Sequence, residues 1–281
     1  MLKRAITSAV ILALTLILVI FSDLIVYPIV LAVLSMVAVR EILKVMGSHK
    51  RWLVAIPAYL LSFAFPICAY FVTPGIAKGF MLSVFCAIFV YLLWLMAISV
   101  FSKGKISFNA ISEMFVSVIY VTVSFTSLSL LRYLDKETGA FNIGLVFMVA
   151  WVCDVFAYLV GSIIGKHKLI PEISPKKTVE GAMGGIVFTA AACLLYGFLL
   201  DKIMDNMHVN YVFLAICGVV LPIVSQLGDL VASLIKREYG VKDYGRIFPG
   251  HGGVMDRFDS VIAVSTILLI LCILFPPFAI I

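Results

Sequence analysis

The sequence predicts an all-α polytopic integral membrane protein of about nine transmembrane helices, with its N-terminus cytoplasmic and its C-terminus outside. Three observations carry that reading. Of 281 residues, 63% are hydrophobic and 13% charged, against roughly 45–50% and about 25% in soluble domains. Apolar runs of the ~20 residues needed to cross a bilayer recur along the whole chain. Lys and Arg crowd onto alternate connections between those runs. The composition excludes a soluble globular domain, a disordered chain and a collagen or coiled-coil rod. The net charge of +6 is too sparse to track a phosphate backbone, so no nucleic acid is expected as a partner.

The first apolar run, 5–22, follows Lys3 and Arg4. It is long, lacks a convincing small-residue cleavage site and leads directly into another span, so a retained anchor is expected rather than a signal peptide. The second, 24–44, is joined to it through Asp23 by a connection short enough for a tight helical hairpin. Spans three and four are 52–72 and 79–101, five and six 114–132 and 143–165, and seven to nine 181–200, 211–235 and 258–278. Pro57, Pro66 and Pro222 fall inside spans, where neighbouring helices can re-satisfy the freed backbone groups. The six cysteines are scattered singly in apolar stretches, without CxxC spacing or a His cluster, and read as small buried hydrophobes.

With the N-terminus on one side, that side receives 17 of the 21 Lys and Arg, leaving Lys78, Arg132, Lys136 and Lys202 on the other. By the positive-inside rule the richer side is cytoplasmic. The chain divides into residues 1–142, a transmembrane scaffold with short loops and no polar residue demanding a role, suited also to dimerisation, and residues 143–281. The second part carries two cytoplasmic loops, 166–180 and 236–257, and acids within or at the ends of spans: Asp154, Asp229, Asp256 and Asp259.

A carboxylate near the bilayer centre costs roughly 2.5–3.5 kcal/mol on insertion scales, so it faces a polar cavity and has a partner. For Asp229 the alternative is structural pairing with a Lys or Arg. In span eight, Ser225, Asp229, Ser233, Lys236 and Arg237 recur at helical spacing and draw one polar stripe on an apolar helix. The loop beyond it holds Lys242, Arg246 and His251 among several glycines and ends on Asp256, Arg257 and Asp259. Asp256 and Asp259, three apart at a helix start, share a face. Hard oxygen ligands with room for phosphate are what Mg²⁺ favours; a helix cap is the alternative for Asp256. For His251, which has no second His beside it, a phosphate or backbone hydrogen bond suits better than metal ligation.

The other loop offers Ser174, Pro175, Lys176, Lys177, Thr178, Glu180 and Gly181. Ser before Pro suits a helix start, which would set the Lys pair where the helix dipole favours anions; an ordinary positive-inside loop is the alternative. Gly161 and Gly165 read as a helix-packing face. Carboxylates for a divalent ion and cations for phosphates, placed at a membrane, point to phosphoryl or nucleotidyl transfer onto a lipid.

The run Ser233-x-x-Lys236-Arg237, then Lys242-Asp243, then Pro249-Gly250-His251-Gly252-Gly253 and Asp256-Arg257-x-Asp259 resembles the signature of the phosphatidate cytidylyltransferases, or CDP-diacylglycerol synthases, over 27 positions. Asp154-x-x-Ala157-Tyr158-x-x-Gly161 and the 174–181 run are similar to that family's other motifs. The resemblance implies Mg²⁺-dependent transfer of CMP from CTP to phosphatidate, giving CDP-diacylglycerol and pyrophosphate, with a second metal ion accommodated. It implies a homodimer in the bacterial cytoplasmic (inner) membrane with its active site facing the cytoplasm. By position, Asp229 and Asp256 look like metal ligands with Asp259 nearby, and Lys236, Arg237, Lys176 and Lys177 like phosphate contacts. Ser174, Thr178, Lys242, Arg246, His251 and Arg257 are further substrate-binding candidates; Asp154 and Glu180 are further polar site candidates. Two other readings stay open: a CTP-dependent enzyme acting on an isoprenoid lipid, and a cation-coupled transporter with ions at Asp154 and Asp229.

Overall fold

Inside a hydrocarbon layer a helix satisfies every backbone N–H and C=O within its own segment, and this chain is helical wherever it is apolar for about 20 residues. A computed structural model describes residues 13, 15–73, 75–204, 207–248, 250, 252–275 and 277–280. Among them, eight helices are long and apolar enough to cross a membrane. The helices are α1 (Val26–Val45), α2 (Trp52–Cys68, extended by a 3₁₀ turn Ala69–Phe71), α3 (Ala77–Phe101), α4 (Phe108–Tyr133), α5 (Gly139–Ile164), α6 (Val179–Ile203), α7 (Tyr211–Glu238) and α8 (Met255–Leu274). They correspond to spans two to nine. The expected first span, 5–22, lies largely outside the described residues. The protein is therefore an all-α, multi-pass membrane protein.

Helix limits depart from the apolar runs where polar first turns are still helical. α4 starts at Phe108 rather than 114 because Ser107 caps it, its side chain accepting from Ala110 N at 3.2 Å. The expected helix start at Ser174-Pro175 is a correction. Ser174–Thr178 is strand β2, paired antiparallel with β1 (Lys168–Ile170), and helix begins only at Val179. Thr178 is the actual cap, accepting from Gly181 N at 3.1 Å. Pro175 is tolerated because β2 is paired on one side only. Span nine also ends early: α8 stops at Leu274, and β4 (Phe278–Ile280) pairs with β3 (Met207–Val209).

The chain forms two units. One comprises residues 1–134 with Asp243–Asp256; the other comprises Asp135–Lys242 with Arg257–Ile281. In the first, α4 packs against α1, α2 and α3. Its many hydroxyls are compatible with burial because several bond back into their own helix, as Thr126 Oγ1 does to Thr122 O at 2.7 Å and Ser127 Oγ to Val123 O at 2.9 Å. Pro57 in α2 frees a carbonyl that a side chain then satisfies. Pro57 has no N–H for Leu53 O, which accepts from Trp94 Nε1 at 2.9 Å. The turn at Asp23 is tied by the end of α4: buried Arg132 pairs with Asp23 and donates to Ser22 Oγ at 2.9 Å, and Tyr133 OH donates to Ser22 O at 2.9 Å.

In the second unit α6 packs on α5 and α7, and α5 on α7. The α5–α6 contact is built on small residues, as expected for Gly161 and Gly165. A Cβ at Gly181 would lie 2.5 Å from Ala157 O and 3.0 Å from Gly161 Cα. We therefore expect Gly181→Val to lower the thermal midpoint of the detergent-solubilised protein by several degrees, corresponding to overpacking of about 1–3 kcal/mol. Gly79→Ala in α3, where a Cβ meets nothing within 4 Å, should leave it unchanged or slightly raised.

Candidate active site

In the second unit three acids from three helices share one electrostatic neighbourhood: Asp154 of α5, Asp229 of α7 and Asp259 of α8. Asp229 acts on both of the others, and Asp154 on Asp259. Their cations come from elsewhere in the unit: Lys177 of β2 and Arg257 of α8 act on Asp154, and Lys236 of α7 acts on Asp259. The pairing at the centre is direct. Lys177 Nζ lies 2.6 Å from Asp229 Oδ2, with the two side chains 25% and 29% exposed. Ser233, one turn along α7, donates to Asp229 Oδ1 at 3.4 Å. Asp259 Oδ1 accepts from Ser260 N at 2.8 Å.

A cavity of about 290 Å³ opens beside this set, lined among others by Asp154, Tyr158, Lys176, Lys177, Gln226 and Asp229. The strand conformation of β2 separates the two lysines, since successive side chains leave a strand on opposite faces. Lys177 turns in to Asp229, and Lys176 stays exposed.

The rest of the hairpin motif holds structure. Glu180, in the first turn of α6, accepts from Lys166 N at 3.1 Å and His167 N at 3.2 Å and sits 2.6 Å from His167 Nδ1. It closes the base of the β1–β2 hairpin. Arg237 Nε donates to Ile173 O at 3.3 Å and pins the hairpin turn to the end of α7. Buried Thr178 spends its hydroxyl on the helix cap, and Ser174 opens β2. Lys242 and Arg257 are exposed.

The Gly-rich loop belongs to the first unit. Asp256 is buried and its Oδ2 accepts from Tyr244 N at 2.8 Å and Gly253 N at 2.9 Å, so it draws the two ends of the loop together. Gly252 has φ +85°, and a Cβ there would fall 2.6 Å from Asp256 Oδ2; no other residue type meets both conditions. Arg246 is exposed, and His251 lies outside the described residues.

Sequence reasoning missed one acid here, and its statement that the first 142 residues hold no polar residue demanding a role is corrected. Glu41 of α1 is 6% exposed. Its Oε2 accepts from Met255 N at 3.0 Å, and its carboxylate fills the space that a Cβ on Gly245 or Gly253 would need, 2.1 and 2.2 Å away. The signal was present, as Glu41 is the single acid inside span two. Gln226, the amide inside span eight, was passed over too; its Nε2 donates to Ala182 O at 3.2 Å. We expect Gly253→Ala and Glu41→Ala each to destabilise the protein, and the double variant to lose less than the two together. The coupling in thermal unfolding should be about 1 kcal/mol or more, because removing Glu41 vacates the space the new methyl needs.

The chain matches the model of the cytidylyltransferase family over residues 2–275. It belongs to the cytidylyltransferase family. Among relatives, it is 34% identical over 279 residues to the phosphatidate cytidylyltransferase of Bacillus subtilis strain 168, covering 97% of this chain and 98% of the relative. It is 41% identical over 179 residues to that of Staphylococcus haemolyticus strain JCSC1435, covering 64% of this chain and 65% of the relative. A similar match, 42% over 175 residues, is made to that of Staphylococcus epidermidis strain ATCC 12228, covering 62% and 64%. The matched stretch thus spans slightly under two thirds of those staphylococcal proteins.

For a cytidylyltransferase the donor set can be tested against a divalent ion. Among the described residues no group of three or more His, Cys, Asp or Glu side chains is close enough to hold one by itself. Mg²⁺ does not require that, since it keeps waters and takes one or two carboxylates plus substrate phosphates. Asp229 at the cavity, with Asp154 and Asp259 adding negative charge around it, fits such a partial coordination shell.

Proposed function

We propose that this protein is a phosphatidate cytidylyltransferase: it joins CTP and phosphatidate to give CDP-diacylglycerol and pyrophosphate at the membrane. The observation that carries the reading is the Asp229–Lys177 pair lining a cavity among apolar helices. A membrane-embedded carboxylate set flanked by cations suits two polyanionic substrates, one of them a lipid.

The nucleophile is an oxygen of the phosphatidate phosphate, already anionic at neutral pH, so no general base is needed. It attacks the α-phosphorus of CTP; the new P–O bond forms as the bond to the β-phosphate oxygen breaks, and pyrophosphate departs with the electron pair. Mg²⁺, when bound, supplies neutralisation of the triphosphate charge. Asp229 would hold it, with Asp259 of α8 contributing from the same unit. Lys177 neutralises Asp229 in the absence of substrate and then turns to the incoming phosphates. Lys236, Arg257 and the exposed Lys176 and Lys242 provide the surrounding positive field, and Glu180, Thr178 and Arg237 keep the hairpin that carries Lys177 in register.

The loop charge asymmetry supports placing this site on the cytoplasmic face of the membrane, the bacterial relatives suit an inner membrane, and a homodimer is the assembly that the family resemblance implies. Purified protein supplied with labelled CTP, Mg²⁺ and phosphatidate should release pyrophosphate and yield a chloroform-soluble nucleotide, with neither product in the absence of lipid. Turnover with a polyprenyl phosphate but not with phosphatidate would replace the lipid acceptor in this reading. No CTP consumption with either lipid would overturn it in favour of a transporter.

A further inference from the structure

We propose that the first unit holds a second lipid site, a groove between α2 and α3 that binds an anionic diacyl phospholipid of the bilayer. The groove has a volume of about 620 Å³ and is lined by apolar side chains including Trp52, Trp94, Ile98 and Phe101, with Arg51 and Lys105 at one end. α2 begins where α3 ends, so their antiparallel packing brings Arg51 and the 102–107 loop to the same end of the pair.

Charge selects the occupant. Residues 42–112 carry six cations and no acid, whereas the rest of the chain has equal numbers of each. The whole surplus of +6 therefore resides in this segment, and four of its cations, Lys50, Arg51, Lys103 and Lys105, flank this one end. Neither a positive-inside signal nor the catalytic cluster requires the complete exclusion of acids over 71 consecutive residues. The start of α2 adds to the field: it has no side-chain cap and no acid in its first turn, so no carboxylate there offsets the positive end of its dipole. Basic pockets between transmembrane helices that end in an apolar cleft take phosphate headgroups with their acyl chains alongside.

The groove wall is fixed rather than incidental. Pro57 frees Leu53 O, and Trp94 reaches across from α3 to satisfy it at 2.9 Å. That bond locks the Trp94 indole as one side of the cleft. Ser99 Oγ, donating to Ile106 O at 2.8 Å, holds the 102–107 loop so that Lys105 stays at the rim. Trp52 is 67% and Phe101 85% exposed, leaving the cleft open for lipid chains to enter sideways.

Two of the three tryptophans of the chain line the groove, which provides the assay. The Trp151→Phe protein, reconstituted in phosphatidylcholine vesicles, is titrated with brominated phosphatidylglycerol or brominated phosphatidylcholine, and tryptophan quenching is read. Phosphatidylglycerol is a phosphodiester and cannot serve as the cytidylyl acceptor, so the readout is independent of the proposed activity. The brominated anionic lipid should quench with an apparent affinity about ten-fold above that of the zwitterionic one. Arg51→Ala with Lys105→Ala should bring the two lipids level while leaving quenching by brominated phosphatidylcholine unchanged, which shows that the groove is still formed. Equal quenching in the parent protein, or a preference surviving in the double variant, would overturn the proposal. Absence of quenching by either lipid would also overturn it, since a second protein chain would then be covering the cleft.

Discussion

Asp229→Asn is expected to lower cytidylyl transfer about a thousand-fold or more, with the protein still folded and inserted. The factor corresponds to about 4 kcal/mol of transition-state stabilisation, the scale expected when a preorganised charge and the ion it holds are removed together. Asn keeps the shape of the side chain and its acceptor toward Ser233, and partial exposure of the Asp229–Lys177 pair softens the cost of leaving the ammonium alone. The measurement is pyrophosphate release across a Mg²⁺ titration, alongside the thermal midpoint. Near-normal turnover at saturating Mg²⁺ would remove Asp229 from the metal role.

The second large effect separates two adjacent lysines. Lys177→Met should lower kcat/KM about a hundred-fold, roughly 2.7 kcal/mol, whereas Lys176→Met should cost less than about ten-fold. The ratio follows from strand alternation: one ammonium is 2.6 Å from Asp229 Oδ2 and the other is exposed. A further signature distinguishes a substrate contact from a structural pair. With the Lys177 ammonium no longer paired to Asp229, the Mg²⁺ concentration giving half-maximal rate should fall even as the rate itself drops. Equal losses for the two variants would mean that the hairpin acts only through its net charge.

How far the sequence could be read follows from what each kind of residue is answerable to. The helices were legible because the bilayer sets their length, and Asp154, Asp229 and Asp259 because an acid in hydrocarbon needs a reason. For Asp229 the alternative of pairing with a Lys or Arg describes the contact the structure shows, and the cation that neutralises it, Lys177, is itself one of the phosphate-binding candidates. The start of α6 was misplaced because Ser-Pro is compatible both with a helix start and with a strand paired on one side. Only the pairing of β1 with β2, a tertiary fact, decides between them. The same strand splits Lys176 from Lys177, and no pattern of charge could have told them apart. Glu41 was missed because an acid near the end of a span looks like one that reaches for water; its partner, Met255, is 214 residues away along the chain.

That separation also sets a schedule. On the ribosome, Glu41 enters the membrane with nothing to hold, and its partner is made 214 residues later, an interval of roughly 10–40 s at bacterial elongation rates of about 5–20 residues per second. Through that time the nascent scaffold carries a carboxylate whose place is reserved for a loop not yet translated. A product truncated before Met255 lacks the backbone N–H that Glu41 holds, so the scaffold gains this tie only once the signature loop has been made.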